Sequence, residues 1–496
     1  MAQSSGRVAP QTAIERFDRA AFTHEPSGFR YRISKRPDGA LSVGFDQPAA
    51  AGGLSGEKGM LYYAGSGAAA RSYLLESDGF LFVSPVAWYS GPTAHWGLGP
   101  GYNGYGYPFL TRPVLPGCLT CHASFLNPTA GTQNRFADPP FTEGGVACER
   151  CHGPGEAHIA AAGKSKMVNP AKLPPDRRDS ICAQCHLSGE VRVMRPGLDW
   201  QSYHPGDRLS DSLSVFVNNL PRRTVTSHVE NLAQSACQRV SGDKLWCGSC
   251  HDAHSVPTPA ARATYFRNKC LACHVKRANY RAHGDDCVSC HMPKGSVADA
   301  EHVVFTDHSI PRRPRPPIEL TSSSPHFELA AFGPEPATRR DTALAYAIAS
   351  TRQPSVREKA RELLEAVVLT SPDDAEVLLY LAEIYRNSGL DDLALPLYRR
   401  AALLDPSQLT ASTGMGAIYF QRSDLAKAVI HWQAALRKNP GLVLVATNLA
   451  MAQWRQGNRP AAEATLRGVL ELSPGFKPAA DLLRQLTLRP GPPAVR

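Results

Sequence analysis

The side chains of this 496-residue chain best suited to chemistry are its 13 cysteines and 17 histidines. Twelve of those cysteines fall into six copies of one spacing, Cys-x-x-Cys-His. The copies are Cys118, Cys121 and His122; Cys148, Cys151 and His152; Cys182, Cys185 and His186; Cys247, Cys250 and His251; Cys270, Cys273 and His274; and Cys287, Cys290 and His291. Only Cys237 stands outside the pattern. Two thiols held a few residues apart can add to the two vinyl groups on one edge of a haem. The adjacent imidazole then reaches the iron from the proximal side. A structural zinc site needs four converging ligands, typically from two Cys-x-x-Cys knuckles. Pairing six copies into three zinc sites would leave six histidines idle, and a disulfide framework would give them no role either. The spacing therefore predicts six covalently attached haem c groups, and Cys237 reads as a buried apolar thiol.

A second axial ligand is the next requirement. Six histidines are proximal, and His431 falls in a helical repeat and reads as ordinary surface. Ten remain: His24, His95, His158, His204, His228, His254, His283, His302, His308 and His326. Of these, His24, His95, His204 and His326 read as surface or core histidines. Supply thus meets the demand of six irons. Two imidazoles on one iron make a closed, low-spin centre that passes single electrons and has no open position for substrate. The count favours an electron carrier over a catalyst, and no catalytic residue is assigned. The alternative is a multihaem oxidoreductase acting on a small nitrogen or sulfur compound at one haem with a vacant distal side. Tyr, Arg and His are plentiful in 91–120 and 191–230, but no cluster singles itself out. A haem-filled scaffold whose repeats do the work is a third reading, for which twelve thioether bonds are excessive.

The elements that must position these residues differ along the chain. Residues 1–20 are polar and read as loose. Residues 29–90 alternate as strands around a Pro-Asp-Gly turn and a Ser-Asp-Gly turn. Residues 91–115 are rich in Gly, Pro and Tyr and read as loop. The segment 118–291 has few long apolar runs and could not close an ordinary core, so porphyrin faces would replace the missing side chains. "SIPRRPRPPIEL" reads as a semi-rigid linker. The last 150 residues carry a period of thirty-four: Pro372, Pro406, Pro440 and Pro474; Ala360, Ala394, Ala428 and Ala462; Leu364, Tyr398, Trp432 and Leu466. Tyr385 matches Tyr419, and Gly389 matches Gly457, while Ser423 and Gln453 depart from the pattern. This period resembles the tetratricopeptide repeat over 341–474, with a capping helix at 477–488. No run approaches the ~18 apolar residues of a membrane span. The net charge of +10 is dispersed apart from "PRRPRPP", and haem propionates would offset roughly one charge per haem, so nucleic acid is not an expected partner.

Three stretches, "GVACERCHGPGEAH", "HVENLAQSACQRVSGDKLWCGSCHDAH" and "CVSCHMPK…EHVVFTDHSIPR", resemble the multihaem cytochrome c superfamily that includes hydroxylamine-oxidoreductase-like and nitrite-reductase-like proteins. More narrowly, the chain from about residue 20 onward resembles bacterial multihaem cytochromes that end in tetratricopeptide repeats. The resemblance implies that His158, His228, His254, His283, His302 and His308 are distal ligands, with His158, His254 and His283 serving an iron other than that of the motif beside them. It implies a mixed fold: a β-rich N-terminal part of the cytochrome domain (1–115), a haem-cored segment of short helices and loops (116–312), a Pro-rich linker (313–340) and an all-α solenoid (341–490). It implies electron transfer through closely packed, mostly bis-histidine haems, with the repeats binding a redox protein or a second copy. Haem c attachment takes place outside the cytoplasm, so the expected location is periplasmic or extracellular. "MAQSSGRV" carries no secretory signal. Met1 is accordingly expected to be internal to a longer protein with a signal and a seventh motif upstream.

Overall fold

The computed structural model describes residues 3–47, 55–90, 94–102, 110–218, 224–275, 286–297, 303–313 and 327–488. They divide into two compact units. One comprises Met1–Ser4, Thr120–Ser124 and Glu143–Ala337, and the other Ser5–Leu119, Phe125–Thr142 and Thr338–Arg496. The N-terminal strands thus group with the repeat helices in one unit.

The strands are β1 (Ser5–Arg7), β2 (Ala21–His24), β3 (Phe29–Lys35), β4 (Leu41–Asp46), β5 (Ser55–Ala64), β6 (Ala70–Ser77), β7 (Phe80–Tyr89) and β8 (His95–Leu98). β2 to β8 pair in chain order as an antiparallel meander, and β1 pairs with the far half of β5. Alternation drives it: in β3, Phe29, Tyr31 and Ile33 are buried while Arg30 and Arg32 face outward. Both expected turns form. Asp78 and Gly79 take φ of 53° and 80°, the paired positive values of a two-residue hairpin turn that follows the sheet twist. Pro85 is tolerated inside β7 because the register shifts against β6 between Ser72 and Leu74. The core unites Tyr31, Val43, Met60, Tyr73, Val86, Trp88 and Trp96.

Two expectations for this region fail. β8 lies in the stretch read as loop, where His95–Leu98 pairs with the end of β7. The first residues are not loose. Buried Arg71 needs a counter-charge, and Glu15 supplies it at 3.0 Å with only 3% of its side chain exposed. Tyr73 donates to the same carboxylate at 2.5 Å, and Arg71 donates to the Thr12 carbonyl at 2.7 Å.

The cysteine-rich segment is built from short pieces: α1 (Pro116–Thr120), α2 (Glu149–His152), α3 (Glu156–Ala160), α4 (Pro175–His186), α5 (Leu209–Ser212), α6 (His228–Ala233), α7 (Ala236–Ser241), α8 (Cys247–Cys250), α9 (Arg262–Leu271) and α10 (Cys287–His291). Between them run β9 (Ala123–Pro128) with β10 (Phe136–Gly144), β11 (Val191–Met194) with β12 (Leu213–Asn218), and β13 (Lys294–Ser296) with β14 (Val304–Thr306). β15 (Leu329–Ala331) completes the β11–β12 sheet, so the end of the stretch read as linker is a strand. Its backbone donors and acceptors find partners on β12, a pairing no local sequence signal announces. Residues 314–326 of that stretch lie outside the described residues. The apolar core here is small, centred on Ala183, Leu187, Tyr203, Leu209, Leu213 and Val215. α2, α3, α7, α8, α9 and α10 bury none of their residues. None of the described helices is long and apolar enough to cross a membrane.

The C-terminal helices are α11 (Arg339–Ser350), α12 (Arg357–Thr370), α13 (Ala375–Asn387), α14 (Asp391–Leu404), α15 (Leu409–Gln421), α16 (Leu425–Lys438), α17 (Val443–Arg455), α18 (Arg459–Leu472) and α19 (Lys477–Leu488). They form antiparallel pairs, and α19 is the expected capping helix. Ala360, Ala394, Ala428 and Ala462 are all fully buried, where the absence of a larger side chain lets neighbouring helices meet. Gly389, Ser423 and Gly457 occupy the same turn in successive repeats with φ of 75°, 59° and 83°. A left-handed turn is therefore imposed by the fold, and serine holds it at a cost. Gly416 lets Trp432 lie against α15, because a Cβ there would meet the indole Cδ1 at 2.5 Å. The turn between α16 and α17 packs on the N-terminal sheet region: Asn439, 1% exposed, donates to the Gln133 side chain at 2.6 Å, and Gly441 lies against Phe82.

Three stability outcomes follow, each read as a shift in denaturant midpoint of the full chain. Gly416→Ala displaces Trp432 and costs about 1–3 kcal/mol. Ser423→Gly relieves the left-handed strain and gains about 0.5–1 kcal/mol. Asn439→Ala leaves buried amide groups without partners and costs about 1–3 kcal/mol.

Candidate functional site

All six Cys-x-x-Cys-His groups sit on or at the end of a helical turn. Cys118 is in α1, Cys151 and His152 end α2, and Cys182, Cys185 and His186 form the last turn of α4. Cys247 and Cys250 bound α8, Cys270 lies one residue before the end of α9, and α10 holds the whole sixth group. One bond recurs. The histidine N–H donates to the carbonyl of the first cysteine in His152 to Cys148 (2.9 Å), His251 to Cys247 (2.9 Å) and His274 to Cys270 (3.0 Å). This is the i to i+4 bond of a helix. It turns the two thiols and the imidazole, at i, i+3 and i+4, to the same side. All 13 cysteines are free thiols, and those of different groups lie close. Cys121 is within hydrogen-bonding reach of Cys185, Cys182 of Cys247, and Cys270 of Cys287. The Cys185 thiol, Arg192 and Arg150 draw Cys121 down to about 7, while its neighbour Cys185 is pushed up.

The histidines gather in the same unit. The His152 and His254 ring centres lie 5.9 Å apart with planes 17° from parallel. His251 and His308 stand 6.3 Å apart at 29°. His186 and His228 are closer, 5.1 Å, and nearly perpendicular at 86°. His228 also meets His308 at 4.7 Å. Two imidazoles on one metal ion, with metal–nitrogen bonds of about 2 Å and ring centres roughly 1 Å beyond, stand about 6 Å apart. The first two pairs match that separation, and the third falls about an ångström short.

Tautomers are set by backbone carbonyls. Nδ1–H donates from His152 to Val168 (2.7 Å), from His158 to Ser165 (2.8 Å), from His291 to Pro311 (3.0 Å) and from His308 to Thr306 (2.8 Å). Each bond leaves Nε2 unprotonated, which is the usual preparation of an imidazole for a metal. In His228, Nδ1 is buried with no hydrogen-bond partner. Burial lowers the proton affinity of His122, His186, His251 and His308, and takes His228 down to about 3, with His308 and His186 adding repulsion. These rings stay neutral at ordinary pH. Among the described residues, no three His, Cys, Asp or Glu side chains converge as a metal cluster. A haem iron asks the protein only for an axial pair, and the pairs above fit that need.

The expected distal histidines separate accordingly. His228, His254 and His308 meet a motif histidine. His158 meets none of the described imidazoles, and His283 and His302 lie outside the described residues. His254 is exposed and lies 3.6 Å from Asp252. Of the histidines read as ordinary, His24 bonds Ser27 beside the sheet, and His431 stacks on Tyr419. Sequence reasoning missed Glu230, a half-buried residue on α6 whose carboxylate accepts from the Ser188 and Gly189 N–H groups directly after His186. Its only sequence signal is its place two residues after His228.

Comparison with known proteins places residues 357–408 and 413–475 in the tetratricopeptide repeat family. A comparison with curated proteins returns no match. Among solved structures, the chain is similar to MamA at 20% identity over 28% of this chain and 86% of that one, with a TM-score of 0.26. It is similar to YrrB, a TPR protein with an unusual peptide-binding site, at 17% identity over 29% and 73%, TM-score 0.27. It is also similar to the first TPR of Spaghetti (RPAP3) bound to an HSP90 peptide, at 24% identity over 23% and 90%, TM-score 0.22. The C-terminal region is a tetratricopeptide repeat array.

Proposed function

We propose that this protein is an electron-transfer multihaem c-type cytochrome with a tetratricopeptide repeat region for protein contacts. The observation that carries the reading is the set of motif histidines facing a second imidazole at about the separation of a shared iron. The six helical turns would hold the haems, the paired thiols through thioether bonds and His122, His152, His186, His251, His274 and His291 as proximal ligands. Haem c, when bound, supplies a one-electron ferric–ferrous couple. His254 would complete the axial pair of His152, His308 that of His251, and His228 that of His186. The carbonyls of Val168 and Thr306 keep His152 and His308 in the ligating tautomer, so little rearrangement accompanies each electron. Close approach of thiols from different motifs, the first and third, third and fourth, and fifth and sixth, supports close packing of their haems. The helices that bury nothing, with exposed Ile159 and Val240, and the exposed Val256 between α8 and α9 present apolar surface that porphyrin faces would cover. The repeats supply a concave surface for a redox protein partner or a second copy. Covalent haem attachment implies a periplasmic or extracellular location.

Intact-mass analysis of the full chain, made in a host with the haem-attachment machinery, tests the reading. The expected product is heavier by six haems and shows one titratable thiol, Cys237, after denaturation. A bare or zinc-only polypeptide overturns the proposal. In the loaded protein, His254→Ala and His308→Ala each convert about one sixth of the haem from low to high spin in the electron-spin-resonance spectrum. His24→Ala leaves the spectrum unchanged. A high-spin component in the unmutated protein that shifts with nitrite, hydroxylamine or cyanide would favour the oxidoreductase instead.

A further inference from the structure

The turn Leu187-Ser188-Gly189, which follows His186 directly, has its polar groups taken one by one. The N–H groups of Ser188 and Gly189 both donate to Glu230 Oε1, at 3.1 and 2.9 Å. The carbonyls of Leu187 and Ser188 both accept from the Arg192 guanidinium. The Ser188 hydroxyl contacts the Thr226 hydroxyl and accepts from that of Thr224 at 2.8 Å. Gly189 has a φ of 61°, and a Cβ there would meet Val215 Cγ1 at 2.5 Å and the Phe216 carbonyl at 2.7 Å. The turn is thus wedged against β12 on one side and bonded to the start of α6 on the other.

The groups that bond it from α6 and the residues leading into it flank His228. Thr224 and Thr226 precede it, and Glu230 follows it by two residues. The start of α6 is braced in turn: Ser227 accepts from the Thr224 N–H at 3.0 Å, and the Asn231 amide donates to the Ser227 carbonyl at 2.5 Å. One carboxylate therefore ties the segment carrying His186 to the segment carrying His228. A buried carboxylate is expensive to desolvate, and Glu230 Oε2 is buried without a partner. The two N–H bonds to Oε1 offset part of that cost, and they hold the spacing between the two imidazole-bearing segments.

We propose that Glu230 is a positioning residue that sets His228 opposite His186 and so fixes the axial pair of the third haem. The inference rests on the haem reading above. It assigns Glu230 no contact with the iron or porphyrin. Its role is to accept two N–H bonds across the pair. Glutamine retains that acceptor, aspartate withdraws it by one methylene, and alanine removes it.

The test compares Glu230→Ala, Glu230→Asp and Glu230→Gln in the haem-loaded full chain. Intact mass gives haem content, and electron-spin resonance with a potentiometric titration reads the axial ligation. The expected result is six haems in each variant. About one sixth of the haem turns high-spin or shifts in potential in the alanine and aspartate variants, and the wild-type spectrum is restored in the glutamine variant. Spectra identical to wild type in all three overturn the proposal, as does a glutamine variant that behaves like alanine. If the alanine variant does not accumulate, the aspartate–glutamine contrast decides, and like behaviour of the two counts against the proposal. A wild-type chain without haem overturns the haem reading itself and this inference with it, an outcome the mass alone identifies.

Discussion

The middle of this chain depends on one backbone hydrogen bond, from a histidine N–H to the carbonyl four residues earlier. That bond closes a single helical turn, and the turn decides where three side chains point. Without it, two cysteines and a histidine in a row of five would scatter around the backbone. With it, they share a side, and the rest of the segment has only to bring such turns near one another. This explains an architecture that would otherwise look unfinished. Apart from α4 and α9 the helices are a turn or two long, six of them bury no residue of their own, and the largest apolar cluster is limited to one sheet and the helices beside it.

The parts of the fold that were legible in the sequence are those with short-range causes. Asp78-Gly79 marks its own turn, because only a few residues accept two positive φ values in succession. Ala360 and its three equivalents announce the repeat, because a helix pair of fixed spacing admits only a small residue there. Ser423 is instructive: the period demanded a left-handed residue, the chain supplied serine, and the backbone still turned. The parts that were missed have long-range causes. Glu15 is polar and looks disposable until Arg71 is seen behind it. β15 is three residues of ordinary composition whose partner strand lies over a hundred positions earlier. Asn439 and Gln133 are 306 positions apart, and neither carries a signal for the other.

The candidate site divides the same way. The eighteen motif residues stand out in the sequence directly, since their spacing lies in adjacent positions. Which imidazole faces which could not, because the pairing of His152 with His254 is a product of loop paths. Backbone carbonyls such as those of Val168 and Thr306 fix two tautomers and are invisible to any reading of side-chain types. Glu230 belongs with these: a charged residue on a short helix is ordinarily a solvated one, and only its two backbone donors reveal otherwise.

One unit of this protein is discontinuous. Ser5–Leu119 groups with Thr338–Arg496, and the cysteine-rich segment is threaded between them. A chain emerging from its amino end therefore presents its sheet long before the helices that seat against Phe82 and Gln133 exist. During that interval the six thiol pairs are already out, before the unit whose two main segments flank them in sequence can close. Order of synthesis thus offers enzymes that modify cysteine all six thiol pairs before the final repeats are made.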